Sequence, residues 1–571
     1  MANVVGSVKK QSTFDAIVIG SGISGGWAAK ELSEKGLKTL VLERGRDVKH
    51  GDYPTAFSES WEIEGRNRPT PAALGRQMKQ NRTGYSVGPA SSHWFADDID
   101  NPYSEDKRFD WMRGYHVGGR SLTWGRQSYR LCELDFEANT KEGIAVDWPI
   151  RYADIAPWYD YAERFAGISG TVDGLSQLPD GQFLPPMEMN CLEKDVKRRI
   201  AAAFGGRAMI IGRVANLTQP HNGRATCQYR NRCIRGCPYG AYFSSNAATL
   251  PAAYASGNLT LRPFSIVNSI IYDEEKKRAT GVRIIDAETH EVIEYYAKVI
   301  FSCASAVAST FILMNSVSDR FPTGLGNDSG ELGHNLMDHH FKVGAAGISD
   351  EFGDKYFRGQ RANGIYIPRF RNLNKETKQP DYVRGFGYQG SASRLDWARG
   401  IKELSAFGSK FKADMIAPGP WRFGIGAWGE CLPYHENRVS LSIKERDKWG
   451  QPTVTFSCEW KANEYAMRKD MKASAVEMLE AAGLKEVAGF DDVVNSAPGN
   501  CIHEMGTARM GRDPKTSVLN KWNQVHAVPN VFVTDGACMT SNACVNPSLT
   551  YMALTARACD HAVSELKKQN L

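Results

Sequence analysis

The stretch Phe14–Gly45 reads FDAIVIGSGISGGWAAKELSEKGLKTLVLERG and decides the fold of the chain. Its run Ala16–Ile19 is apolar, rich in β-branched residues and followed by glycine, which predicts a buried parallel strand. A G-x-G-x-x-G motif comes next, formed by Gly20, Gly22 and Gly25. The first glycine permits a tight turn, the second lets the backbone approach a pyrophosphate, and the third allows a helix to pack closely on the strand.

The pattern continues as a complete nucleotide-binding unit. A helix is predicted over residues 25–35, Gly36 ends it, and residues 39–42 form a second strand that leads into Glu43. The helix N-terminus offers free N–H groups and a positive dipole to phosphates. The Glu43 carboxylate stands where ribose hydroxyls are bound. A glycine-rich turn without a nucleotide is the alternative, and the pattern alone does not distinguish FAD from NAD.

Bulk composition narrows the class of protein. The 571 residues suffice for two or more large cores, and 42% hydrophobic with 23% charged residues is typical of a globular protein. A net charge of +6 without a basic block gives nucleic-acid binding little support. No run reaches the ~18 apolar residues of a membrane span. The 12 cysteines are scattered apart from one group, unlike a secreted disulfide framework.

The N-terminus has neither an apolar signal region nor a twin arginine. We therefore expect residues 1–12 to form a short disordered tail. We also expect the chain to fold in a reducing cytoplasm, with export alongside a signal-bearing partner as the alternative.

Several further motifs follow along the chain. They are VGGRSLTWG from Val117, DWPIRYADI from Asp147, VNSIIYDEEKKRATGV from Val267, GHNLMDH from Gly333, HEMGTARMG from His503, and DGACMTSNACVNPSLTYMALTARA from Asp535. In order and spacing, together with the first glycine motif, they resemble the glucose–methanol–choline (GMC) family of FAD-dependent alcohol oxidoreductases. The resemblance covers nearly the whole chain.

The resemblance implies an α/β plus α+β architecture in two parts. A Rossmann-like FAD-binding domain is expected over residues 13–150, 225–340 and 495–571. A substrate-binding domain built on a large, mostly antiparallel sheet is expected over residues 151–224 and 341–494. Hairpin turns are predicted near residues 273–277 and 287–290.

The resemblance also implies the residues that surround FAD. The position of a covalent histidine in the sugar oxidases that resemble pyranose oxidase is Thr123 here, so non-covalent FAD is expected. The implied cofactor residues are Gly20, Gly22, Ile23, Ser24, Gly25, Glu43, Arg44, Gly118, Gly119, Ser121, Thr123, Trp124, Gly125, Val267, Cys303, Ala304, Asp535, Gly536, Asn546, Pro547 and Ser548.

His503 and Asn546 fall on the family's catalytic pair. Histidine titrates near neutrality and can accept the hydroxyl proton while hydride leaves the carbon, and an asparagine amide can hold the same oxygen. A lone histidine is otherwise more often structural. That is the interpretation given to His116, His339 and His340, the last two as supports of the GHNLMDH turn. Gln389 is a candidate sugar contact, with ordinary sheet polarity as its alternative.

The cysteine group lies in TCQYRNRCIRGCPYG, which contains Cys227, Cys233 and Cys237 with a proline after the last. Clustered thiolates followed by proline are typical of iron–sulfur loops, and three ligands suit a 3Fe-4S cluster. The spacing also resembles the catalytic subunits of bacterial FAD glucose and fructose dehydrogenases. Structural zinc with His221 and free buried thiols remain alternatives. The flanking Arg230, Arg232 and Arg235 would offset cluster charge and suit an acidic partner.

Together these expectations describe a dehydrogenase of sugars or glycosides, with oxidation at C3 of a glucoside preferred. A small chaperone-like subunit and a c-type cytochrome or quinone-linked acceptor are the expected partners. The alternatives are an oxygen-using oxidase of the same fold and a non-catalytic flavoprotein subunit.

Overall fold

The computed structural model describes residues 9–205, 207–356, 361–394 and 407–571. The strands within these ranges are numbered in chain order. They are β1 Lys9–Ile19, β2 Thr39–Leu42, β3 Ser104–Glu105, β4 Ile210–Ile211, β5 Leu259–Arg262, β6 Ser265–Asp273, β7 Arg278–Asp286, β8 Val292–Ser302, β9 Val343–Ser349, β10 Ile365–Ile367, β11 Phe386–Arg394, β12 Trp421–Gly429, β13 Arg438–Arg446, β14 Pro452–Ser457, β15 Lys485–Asp491, β16 Gln524–Val525 and β17 Val528–Val533.

The α-helices of the described ranges are numbered in the same way. They are α1 Ile23–Glu34, α2 Pro71–Arg76, α3 Glu133–Glu142, α4 Tyr152–Ala166, α5 Cys191–Ala203, α6 Thr249–Ala255, α7 Ala306–Asn315, α8 Gly408–Ile416, α9 Ala462–Ala481 and α10 Ser548–Lys567. No described helix combines the length and apolar character needed to cross a membrane.

The first sheet carries the glycine motif. Its parallel centre has the order β17-β8-β1-β2-β5, and β16 and the β6–β7 hairpin extend it with antiparallel pairs. Strand β1, helix α1 and strand β2 form the predicted βαβ unit, and β1 pairs with β2 in parallel register from Ala16 with Thr39 onward. This sheet confirms the Rossmann-like part of the predicted fold, and the two predicted hairpin turns lie between β6 and β7 and between β7 and β8.

The second sheet is antiparallel and has the order β15-β9-β12-β11-β10-β4. Helices α5 and α9 cover one of its faces, where Val196 and Ile200 share an apolar core with Met467, Met471 and Phe423. A third, smaller sheet has the order β13-β14-β3. The predicted large antiparallel sheet is therefore present beside the nucleotide-binding sheet, and its β11 and β12 lead toward the same cleft.

Three elements differ from expectation. Residues 9–12, assigned to the tail, belong to β1, where Lys9 pairs with Ile293 of β8; residues 1–8 lie outside the described ranges. Helix α4, assigned to the substrate-binding part, instead contacts the nucleotide-binding part, since the Tyr159 hydroxyl lies 2.8 Å from Thr550 Oγ1 of α10. Strand β3, assigned to the FAD-binding part, pairs in parallel with β14.

Candidate active site

The glycine motif adopts a backbone conformation that leaves no room for a side chain at two of its three glycines. Gly20 has φ +91°, and a Cβ there would lie 2.7 Å from the Cys303 carbonyl oxygen. A Cβ on Gly25 would lie 2.0 Å from the Gly20 oxygen, so only glycine lets α1 approach the turn. A Cβ on Gly22 would meet nothing within 4 Å. The motif is therefore a tight turn with open space over its second glycine, in front of the N-terminus of α1.

That open space belongs to one large cavity of about 620 Å³. It extends from the glycine turn and Glu43 to the base of the antiparallel sheet. Most of the residues predicted from sequence line it, namely Gly20, Gly22, Ile23, Ser24, Glu43, Arg44, Gly119, Ser121, Thr123, Trp124, Gly125, Val267, Cys303, Ala304, Gln389, His503, Asp535, Gly536, Asn546, Pro547 and Ser548. An elongated cleft with a phosphate-binding turn at one end and a histidine at the other fits an FAD molecule.

Two predicted cofactor residues do not line this cavity. Gly25 faces the backbone of Gly20, so its role is packing. Gly118, at φ +90°, backs onto Asn246, where a Cβ would come within 1.7 Å of the amide oxygen. Its N–H donates to Ser21 Oγ at 2.9 Å. Both glycines shape the walls from behind because no side chain fits at either position.

Two carboxylates hold the turns that line the cavity. Glu43 is buried and accepts hydrogen bonds from the Ser21 N–H at 3.1 Å and the Gly45 N–H at 2.9 Å. Burial raises the pKa of Glu43, against these bonds, which lower it. Asp535 accepts from the Ser305 N–H at 2.9 Å, and burial raises its pKa to about 6. Each carboxylate thus fixes two chain segments that meet at the cleft.

The predicted catalytic pair is in contact at the far end of the cavity. Asn546 Nδ2 lies 3.3 Å from His503 Nε2. Gln389 Nε2 donates to Asn546 Oδ1 at 2.8 Å, which turns the asparagine amide so that its NH2 group faces the histidine. On the other side of the ring, His503 Nδ1 lies 3.0 Å from His339 Nδ1, and His339 Nε2 contacts the Ala543 carbonyl oxygen.

This chain of bonds assigns the tautomers. A carbonyl oxygen only accepts, so His339 carries its proton on Nε2 and offers the lone pair of Nδ1. His503 must then donate from Nδ1, which leaves its Nε2 unprotonated and directed toward Asn546 and the cavity. Burial lowers the pKa of His339 to about 4, and desolvation together with His339 and Arg120 lowers the pKa of His503 well below its usual value. His503 is therefore a neutral base at neutral pH.

Backbone contacts hold the base in place. Asp338 of the GHNLMDH motif accepts from the N–H of Cys501 at 3.0 Å and from the N–H of His503 at 2.9 Å. Burial and the nearby Glu504 raise the pKa of Asp338 to about 8. The Glu504 carboxylate in turn takes two hydrogen bonds from Arg120, at 3.0 and 2.8 Å. The GHNLMDH and HEMGTARMG motifs are thus joined directly beneath the His503 ring.

His339 is the site residue that sequence reasoning missed. The sequence indicates a support of its own turn, yet His339 contacts His503, 164 positions away. The only signal in the sequence was the doubled histidine after Asp338, which does not say which ring faces the cleft. His116 and His340 are buried elsewhere, with His116 Nδ1 lying 3.1 Å from the Val117 oxygen.

The three clustered cysteines surround a second, small cavity. Cys227, Cys233 and Cys237 all line it, and no histidine is among the described residues that do so. His221 instead lies with Nε2 2.8 Å from the Arg164 oxygen, so it does not join the cysteines. The Tyr242 hydroxyl contacts the Cys233 oxygen at 3.1 Å and the Leu122 oxygen at 2.6 Å.

This contact places the cysteine loop close to the first cavity. Leu122 directly precedes Thr123, which lines the large cleft. One tyrosine side chain therefore spans the distance between the backbone of the cysteine loop and the backbone of the cleft wall.

The fold and the site together define an FAD-dependent oxidoreductase that acts on CH–OH groups. A family model described as GMC oxidoreductase matches residues 14–341 and residues 433–555. These matches cover well over half of the chain, and the protein belongs to the GMC oxidoreductase family.

The relatives agree along the full length. The chain is 29% identical to 2-methyl-1,2-propanediol dehydrogenase of Mycolicibacterium austroafricanum, over 96% of this chain and 94% of that protein. It is 27% identical to the fructose dehydrogenase large subunit of Gluconobacter japonicus, over 97% of this chain and 98% of that protein. Among solved structures, the fold is similar to formate oxidase of Aspergillus oryzae, with a TM-score of 0.62, 14% identity, and 98% and 100% coverage.

Proposed function

We propose that this protein is a dehydrogenase that oxidises a hydroxyl group of a sugar or glycoside, with C3 of a glucoside as the preferred position and a keto sugar as the product. The observation that carries the proposal is the bonded chain Gln389–Asn546–His503 at the sheet end of the cleft. It presents a neutral base and an amide donor side by side, so that a hydroxyl group bound there can lose its proton while the carbon that bears it loses a hydride.

The residues divide the work as follows. Non-covalent FAD, when bound, supplies the hydride acceptor. His503 Nε2 takes the hydroxyl proton, and the Asn546 amide holds the substrate oxygen so that the carbon is correctly oriented. Gln389 sets the direction of that amide. As His503 gains the proton, its Nδ1–H bond to His339 becomes a charge-assisted hydrogen bond, which stabilises the cation that forms.

The cavity wall near the base suits a carbohydrate. Tyr85, Phe341, Trp428 and the amide of Gln389 all line it. Flat apolar faces combined with a few fixed polar groups are the usual composition of a small-molecule site. The likeness to a fructose dehydrogenase subunit supports a sugar, and the likeness to a diol dehydrogenase supports oxidation of a neutral hydroxyl compound.

A 3Fe-4S cluster at Cys227, Cys233 and Cys237 is part of the proposal. The three thiols line one cavity. Burial, together with Cys233 and Cys237, raises the pKa of the Cys227 thiol, and the backbone near Tyr229 and the charge of Arg126 act in the opposite direction. A cluster there would supply an exit for single electrons, which favours a dehydrogenase over an oxidase. The short Tyr242 connection to the cleft wall supports this position.

Partners and location extend the same proposal. An acidic c-type cytochrome or a quinone-linked carrier would accept the electrons at the surface beside the cysteine loop, which carries Arg230, Arg232 and Arg235. A small accessory subunit would accompany the chain, which would fold in the cytoplasm, with export alongside a signal-bearing partner as the alternative.

An anaerobic spectrum of the purified protein tests the proposal first. Methyl glucoside should bleach the flavin bands, and NMR of the product should identify a ketone at C3. Iron analysis and low-temperature EPR should detect the cluster in the wild type and not in Cys233→Ser. Bleaching without iron, coupled to oxygen consumption, would favour the oxidase; a flavin that no alcohol bleaches would remove the catalytic proposal.

A further inference from the structure

Three potential metal ligands meet on the side of His503 that faces away from the substrate. They are His339 Nδ1, Cys501 Sγ and His503 Nδ1, and all three atoms lie within 4.8 Å of one another. The two nitrogens are 3.0 Å apart, and Cys501 Sγ is 3.3 Å from His503 Nδ1. The bond from His339 Nε2 to Ala543 leaves the His339 lone pair directed at this point.

These distances are close to those of zinc coordination. Bond lengths of about 2.0–2.1 Å to nitrogen and 2.3 Å to sulfur in a tetrahedron place two nitrogens about 3.3 Å apart, and nitrogen and sulfur about 3.6 Å apart. The observed separations are shorter by about 0.3 Å, which small rotations of the side chains supply. We propose that His339, Cys501 and His503 form an inhibitory binding site for Zn²⁺.

The cation has a route to this point. Cys501 and His503 line the large cavity, whereas His339 is only 1% exposed and closes the site from behind. Arg120, whose charge helps to lower the pKa of His503, is paired with Glu504 at 2.8 Å, and that carboxylate offsets part of its repulsion of the ion. Water from the cavity completes the fourth position, as in other three-ligand zinc sites.

Zinc binding inactivates His503 as a base by changing which ring nitrogen carries the proton. Coordination needs the lone pair of His503 Nδ1, so the single ring proton moves from Nδ1 to Nε2. The Cys501 thiol releases its proton to solvent and binds as thiolate. Nε2 then carries hydrogen and faces Asn546 as a donor, and it no longer accepts the substrate proton. Zinc thus reverses the tautomer that the hydrogen-bond chain otherwise sets, and it leaves the glycine turn and Glu43 at the other end of the cleft untouched.

Crystals of the holoenzyme soaked in zinc chloride test binding directly. Anomalous scattering at the zinc edge should give a peak within bonding distance of His339, Cys501 and His503. Zinc found only at the cysteine loop 227–237 or at the surface would overturn the proposal. This measurement needs no substrate, so it stands or falls separately from the proposed function.

The inhibition that follows from binding rests on the proposed function and is measured with the sugar that bleaches the flavin. Zinc should lower the rate of flavin reduction reversibly, with recovery on adding EDTA. For each variant the rates are normalised to that variant's own uninhibited rate. Cys501→Ser should raise the inhibition constant for zinc at least about 10-fold above the wild-type value, since it removes a ligand. Cys191→Ser, a half-buried cysteine on α5, is the matched control and should keep the wild-type constant. Equal inhibition of both variants would overturn the assignment of Cys501.

Discussion

Replacing His339 tests whether its hydrogen bond is what keeps His503 Nε2 unprotonated. The side chain accepts the Nδ1 hydrogen bond of His503 at 3.0 Å and does not line the substrate cavity. In His339→Leu that donor loses its principal partner, and a buried donor without a partner costs about 1–3 kcal/mol. The proton then favours Nε2, so the fraction of His503 able to act as base falls by about 10- to 100-fold. Flavin reduction should slow by the same factor.

His339→Asn is the conservative variant, because its amide oxygen can occupy the position of Nδ1 and accept the same bond. It should recover most of the rate, and KM should change little in either variant. The assay is anaerobic stopped-flow reduction of the flavin. Both histidines have lowered pKa values and are neutral at pH 7, so the wild-type rate should be flat above pH 7 and fall only in acid. A leucine variant as fast as wild type, or an asparagine variant as slow as leucine, would refute the reasoning.

Three further predictions concern other parts of the site. Gly22→Val should abolish FAD binding, measured as flavin per protein, because its side chain enters the open space of the cleft. The melting temperature of this variant should stay near that of the wild-type apoprotein. Gly25→Ala should instead lower the melting temperature, because its Cβ meets the Gly20 oxygen at 2.0 Å. Gln389→Leu should reduce kcat by about 2- to 10-fold through loss of one hydrogen bond, and Gln389→Glu should reduce it further, because two acceptors then face each other; equal effects would contradict a donor role. Tyr242→Phe should leave flavin reduction by the substrate unchanged and slow electron transfer from the reduced protein to an added acceptor, both measured by stopped flow. Slower flavin reduction would contradict a role for Tyr242 between the cysteine loop and the cleft wall.

The parts of the molecule that local chemistry determines could be predicted from sequence. The strand, turn and helix around Gly20 are dictated by residues adjacent in the chain. His503 and Asn546 were indicated only by the resemblance of their motifs to the GMC family. The position of α4 could not be predicted, because an amphipathic helix reveals that one face is covered but not which neighbour covers it. The strand residues 9–12 are polar and resemble a tail, and only pairing with β8 extends β1 through them.

The polar partners of the base were beyond sequence for a similar reason. Gln389 and Asn546 are 157 positions apart, and His339 and His503 are 164 apart. Each pair depends on how two separate parts of the chain are folded against each other. Amide and imidazole groups are common in sheets and turns, so no local pattern distinguishes those that reach the cleft.

The register of the antiparallel sheet has a consequence for changing substrate range. Gln389 lies on β11, where it pairs with Tyr366 of β10 and Gly426 of β12. A slip of one residue along β11 would send every side chain of the strand to the opposite face. Such a slip, introduced by an insertion or deletion meant to enlarge the substrate pocket, would also withdraw the amide that orients Asn546. The substrate pocket is therefore best changed by substitutions that keep the length of β11. The register of this strand determines the shape of the pocket and also whether Gln389 can orient Asn546 beside His503.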